Sequence, residues 1–225
     1  MNRQRARQPL VWIAVVALAL VPFPGRWGVL KDLLPILAVT VFYRRHGYTL
    51  QRAGLGRPTY GWWRCLGYGL FLAVALYAIE VVTIKPLARI LFQEPKDLAL
   101  FDPIKGNLSM LLIYLAFMWA IAAFGEEYVW RGFLLRELGE SSVGVRHPWA
   151  LAVLASAVLF GLIHVYQGPR GVFETTISGL VIGAIYVRSG RSSIWLVVLI
   201  HGFQNTISFL AIYFDAYYVI NFLSK

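Results

Sequence analysis

Long uncharged apolar runs, separated by short basic breaks, constrain this chain more than any other feature. Leu66–Ile79, Leu108–Gly125 and Trp149–Ile163 contain no charged residue at all. Backbone in hydrocarbon must satisfy its own hydrogen bonds, which leaves helices or closed barrels. Barrel strands alternate apolar and polar side chains, whereas these runs are continuous, so helices are expected. A bilayer core of about 30 Å needs about 20 helical residues. Spans are expected at 9–25, 28–43, 61–84, 107–136, 149–166, 172–188, 193–210 and 210–223. The fourth is over-long and should continue as an amphipathic segment. The last two are separated weakly, around Asp215. The fold class is therefore all-α: a polytopic membrane protein, one transmembrane domain over 1–225, with about eight helices.

Composition agrees. The 225 residues are 59% hydrophobic and 14% charged, against roughly 45–50% and about 25% in soluble domains. The net charge of +10 lies in the breaks, with no basic helix or aromatic-interleaved patch. That pattern fits membrane topology and anionic lipid, and nucleic acid is not an expected partner. The single cysteine, Cys65, excludes an intrachain disulfide and a cysteine metal site. Arg3, Arg5 and Arg7 precede an apolar run that resembles a signal peptide. No small-x-small pattern follows it before Pro22–Arg26, so an uncleaved first span is expected. With eight spans, 14 of the 21 Lys and Arg fall on the side of both termini and 7 on the other. Both termini are therefore expected in the cytoplasm. The compact chain with short loops reads as a bacterial cytoplasmic (inner) membrane protein.

A charge at the bilayer centre costs about 2.5–3.5 kcal/mol on insertion scales, so intramembrane ionisable groups ask for a reason. Glu80 is near a span end and is expected to snorkel to the interface. Glu174 and Asp215 receive the same explanation. Arg188 and Arg191 flank a tight turn, and His46 and His147 fall in loops. Glu126, Glu127, His164 and His201 have no such explanation. Asn205 follows His201 by four residues and shares its helix face. Arg131 stands four residues after Glu127 and can pair with it. Glu126 is then the carboxylate free for chemistry. Phe160 lies one turn before His164 and would wall that imidazole. Any of these alone is more often a structural group satisfied between helices. Their convergence on three spans favours a site.

Peptide hydrolysis needs an activated water and donors for an oxyanion. A carboxylate with a histidine can supply the first, and a second histidine with an amide the second. Glu126, His164 and His201 could instead hold a catalytic zinc with an open position, although the H-E-x-x-H pattern is absent.

Glu126-Glu127-Tyr128-Val129-Trp130-Arg131 reads E-E-x-x-x-R, Phe160-Gly161-Leu162-Ile163-His164 reads F-x-x-x-H, and His201-Gly202-Phe203-Gln204-Asn205 reads H-x-x-x-N. In this order, on separate apolar spans, they resemble the CAAX protease and bacteriocin-processing family, which includes the type II CAAX prenyl endopeptidases. The resemblance covers about 107–210, the expected catalytic core. It implies eight transmembrane helices around a water-filled catalytic cavity. It implies that Glu126 and His164 activate water, that His201 and Asn205 hold the oxyanion, and that Glu127 and Arg131 support them. It also implies a glutamate-type protease without a required metal, with zinc as the alternative, and a cavity opening to the cytoplasm. A prenylated substrate does not carry over. The expected partners are a membrane-embedded or membrane-proximal peptide and the bilayer. The competing readings are a proton-coupled transporter, since intramembrane Glu and His also form proton relays, and a membrane scaffold.

Overall fold

The apolar runs fold as helices in the computed structural model, which describes residues 3–21, 30–94, 96–142 and 144–217. They are α1 (Arg3–Leu20), α2 (Leu30–Arg45), α3 (Trp62–Leu91), α4 (Leu108–Ser141), α5 (Pro148–Leu162), α6 (Gly168–Arg188) and α7 (Trp195–Tyr213). A 3₁₀ segment, Ala99–Ile104, joins α3 to α4. No strand occurs among the described residues, only one bridge between Leu55 and Ser193. The chain is all-helical and an integral membrane protein. α3, α4, α7 and Val165–Arg188 are long and apolar enough to cross a membrane, while α5 is apolar but shorter. Of the eighth expected span, 210–223, the first residues belong to α7, which runs on to Tyr213 and ends in a turn, and 218–223 lie outside the described residues.

Local chemistry sets the helix ends. The Asn107 side chain accepts a hydrogen bond from the Met110 N–H at 3.1 Å, capping α4. Proline stands in the first turn of α5 and of α6, where a missing N–H costs nothing. Pro86 falls inside α3, and the turn before it, Glu80–Ile84, widens to a π-helix that accommodates the lost donor. α4 winds as a π-helix over Met118–Glu126 and again over Tyr128–Leu135. Wide turns of this kind are frequent at functional sites.

α4 is the central post. Every residue from Gly125 to Leu135 is buried, as expected of a helix enclosed on all sides. Around it α5 pairs with α6, α3 with α7 and α1 with α2. Glycines allow the close approaches. A side chain at Gly69 of α3 would meet Leu199 Cβ of α7 at 2.6 Å, and one at Gly179 of α6 would meet the Ala157 backbone at 3.2 Å.

One recess matters for the site. The loop between α2 and α3 folds inward, and its Ala53 carbonyl lies 2.6 Å from where a Gly132 side chain would begin. Ile194, just before α7, donates its N–H to Gly54 O at 2.9 Å and is wholly buried. α7 therefore starts level with Gly132, whereas Trp149 at the start of α5 packs on Gly139, seven residues further along α4. In sequence, His164 and His201 sit at different distances from their helix starts, and the recess brings them to one depth.

Candidate active site

The helix that carries both glutamates sends them to different places. Glu127 is fully buried, and its Oε1 accepts from Arg131 Nη1 at 2.8 Å. The same oxygen lies 2.9 Å from His201 Nδ1. Arg131, also buried, donates to Gly179 O at 3.3 Å and stands 4.7 Å from the centre of the Phe160 ring. A carboxylate beside an arginine can only accept, so His201 carries its proton on Nδ1. The other nitrogen, Nε2, then faces Glu126, 4.0 Å from its Oε2.

His164 follows the end of α5 in a tight turn, with its N–H on Gly161 O at 2.9 Å. Its Nδ1 donates to Phe160 O at 2.8 Å, which leaves Nε2 as an acceptor in the neutral ring. The Phe160 ring lies between the two imidazoles, 4.9 Å from His164 and 6.3 Å from His201, with Trp130 behind it at 5.8 Å.

Glu126, His164, His201 and Asn205 all line one cavity of about 870 Å³. Glu127 and Arg131 do not reach it. The sequence separated the two glutamates through the Glu127–Arg131 spacing, and the fold makes the same division. The bond from Glu127 to His201 had no sequence signal, because it joins helices 74 residues apart.

Other charged groups on the cavity wall were not singled out or were explained differently. Lys31 and Asp32 form an ion pair at 2.8 Å at the start of α2. Both fall inside an expected span, so the rule that singled out Glu126 could have found them. Glu80 does not snorkel outward. It lines the cavity and accepts from Gln204 Nε2 at 3.3 Å. Glu174 likewise turns inward, bonded to Arg170 Nε at 3.0 Å and 3.6 Å from Lys96 Nζ. Both are drawn from the interface because α3 and α6 present them to cations and amides across the bundle. Asp215 stays exposed, 3.8 Å from Lys105, as its span-end position suggested.

Among the described residues no three His, Cys, Asp or Glu side chains gather as metal ligands. With His201 Nδ1 on Glu127 and His164 Nδ1 on the Phe160 carbonyl, each imidazole leaves its Nε2 for whatever the cavity binds. The arrangement places a carboxylate, two imidazoles and an amide on the wall of one cavity.

No curated protein and no solved structure gives a significant match to the chain. Residues 108–207 match the family model described as Type II CAAX prenyl endopeptidase Rce1-like. The match begins at α4 and ends within α7, and it contains all three motifs and every candidate catalytic residue. Over these 100 of its 225 residues the chain is similar to the type II CAAX prenyl endopeptidase Rce1-like family and, with it, to the wider CAAX protease and bacteriocin-processing group.

Proposed function

We propose that the chain is an intramembrane endopeptidase that hydrolyses a peptide bond by direct attack of water. The observation that carries this reading is the shared cavity of Glu126, His164, His201 and Asn205, with His201 held from behind by Glu127 and Arg131. Water bound between Glu126 and His164 Nε2 gives up its proton as it attacks the carbonyl carbon. His201 Nε2 and the Asn205 amide donate to the oxygen that becomes negative. Glu127 stabilises the imidazolium that such donation requires, as a carboxylate behind a histidine does in other hydrolases. The proton then passes from the Glu126–His164 pair to the leaving amine. No step requires a metal.

About eight spans with the cavity inside the bilayer fit the family and the apolar surface of the helices. The substrate is a peptide embedded in or lying against the membrane.

The test is Glu126→Gln. It keeps size and removes the base, so cleavage of a membrane peptide should fall by about 100-fold or more, with membrane insertion unchanged. Full activity in that variant would end the assignment. Activity lost to a chelator and restored by zinc, with about one zinc per chain, would replace the metal-free mechanism.

A further inference from the structure

The cavity belongs to one end of the bundle. Its lining comes from the end of α1 (Leu20), the start of α2 (Lys31), the end of α3 (Lys85) and the segment before α4 (Leu100). The turn after α5 (His164) and the first turns of α6 (Glu174) complete that end. The N-terminus of α1 is at the other end.

The two ends differ in charge. At the end away from the cavity, the described residues carry nine arginines (44, 45, 52, 57, 64, 136, 146, 188 and 191) against two acids, Glu137 and Glu140. At the cavity end six basic residues, four of them lysines, meet seven acids. Arg3, Arg5 and Arg7 precede or open the apolar part of α1 and add to the arginine-rich end. Short segments rich in Lys and Arg stay in the cytoplasm. A cytoplasmic N-terminus and a cavity opening to the cytoplasm cannot both hold in this fold, and the charge decides for the first.

We infer that the cavity opens on the extracytoplasmic face, and that its substrate is a membrane-anchored peptide whose cleaved bond lies at the outer leaflet. The substrate side rests on the proposed peptidase reading, whereas the orientation does not. The cavity walls suit such a peptide. Ile113, Phe117 and Ile121 of α4 offer an apolar flank, and Phe117 is 60% exposed at the bundle surface. An anchor could remain in lipid along that flank while the polar chain beyond it meets Glu126. Across the cavity, Glu80, Lys96 and Glu174 form a mixed-charge wall suited to an extended polar backbone.

Orientation is read by thiol labelling of the full chain in intact bacterial cells with a membrane-impermeant maleimide. Cys65 is buried and is changed to Ala in the background. Leu100→Cys, exposed at the cavity mouth, should label at least about tenfold more than Arg57→Cys, exposed in the loop between α2 and α3. Lysis should equalise the two. Val165→Cys and Arg146→Cys form a second pair in case either first variant fails to insert. Preferential labelling of Arg57→Cys or Arg146→Cys, equal labelling of both ends, or mouth cysteines that react only after lysis would each overturn the orientation. Substrate side is then read by comparing peptides released outside the cell and in the cytoplasm, with the wild-type chain and with Glu126→Gln. Fragments that depend on Glu126 should appear outside. Fragments confined to the cytoplasm would overturn the inference. Fragments independent of Glu126 would overturn the peptidase reading and leave the labelling result standing.

Discussion

The arginine-rich end of the bundle and the cavity end are made from the same apolar helices, yet they differ in what fills the centre. Around Gly132 the interior is closed by large apolar side chains, with Trp130, Phe133, Leu134, Leu135 and Ile194 all almost wholly buried. Polar groups at this end tie loops to helices. Arg52 bonds both Glu137 and Glu140, and Arg136 and Tyr186 both donate to the Arg191 carbonyl. Those bonds hold Arg191 at φ 60°, a conformation unusual for a side-chain-bearing residue, and its guanidinium lies over Trp149. At the other end a smaller apolar cluster around Ile104, Leu111 and Phe209 surrounds an open volume lined by charge. One end is closed by packing, and the other gives up packing for an open volume lined in part by charged side chains.

If that division is right, substitutions at the two ends should separate stability from cleavage. The largest effects belong to the closed end and to the ion pair beneath the site. Phe133→Ala should cost about 3–5 kcal/mol, read as a fall in the unfolding midpoint in detergent. Phe101→Ala, beside the cavity and only half-buried, should cost well under half as much. Equal losses would break the comparison. Arg131→Met leaves Glu127 as an uncompensated buried charge, at about 3–5 kcal/mol. The double variant with Glu127→Gln should recover part of that stability but not cleavage, since His201 would still lack its carboxylate.

Next in size is Asn205→Ala. It should slow cleavage by about 10²–10³-fold while the unfolding midpoint stays within the scatter of the wild-type chain. A stability loss without a rate loss would make Asn205 a packing residue. The smallest effect is expected for Glu140→Ala. Its pair with Arg52 is partly exposed and Arg52 keeps Glu137, so about 0.2–1 kcal/mol is expected, with cleavage unchanged.

Much of this was legible in the chain before folding. Uncharged runs gave the helices because length and continuity leave hydrocarbon backbone little choice. The i, i+4 rule paired Arg131 with Glu127 and put His201 and Asn205 on one helix face, where both line the cavity, because helical spacing is local. Glu80 was misread for the opposite reason. Its partner, Gln204, is distant in sequence, and a residue near a span end carries no signal saying whether it faces lipid headgroups or the bundle interior. Glu174 has a local partner, Arg170 four residues before it, which the same rule could have found; its second partner, Lys96, is distant. The depth mismatch between His164 and His201 was likewise a tertiary matter. It is removed by a loop that folds inward over Gly132, and hydropathy cannot register such a fold-back.

The π-winding of α4 bears on how this segment can change over generations. A π-turn holds one residue more than the α-turn it replaces. Removing one residue between Met118 and Phe124 could let that stretch relax to ordinary winding while everything beyond Glu127 keeps its register. Met118, Ile121 and Ala122, which line the cavity, would then turn relative to Glu126, and the helix would remain apolar and able to insert. Single-residue deletions here should give chains that are present in the membrane and impaired in cleavage, whereas deletions within Arg136–Ser141, ordinary α-helix with no surplus residue, should give chains that are absent. Length variation along α4 therefore has an asymmetric tolerance, set by where the surplus residues are stored.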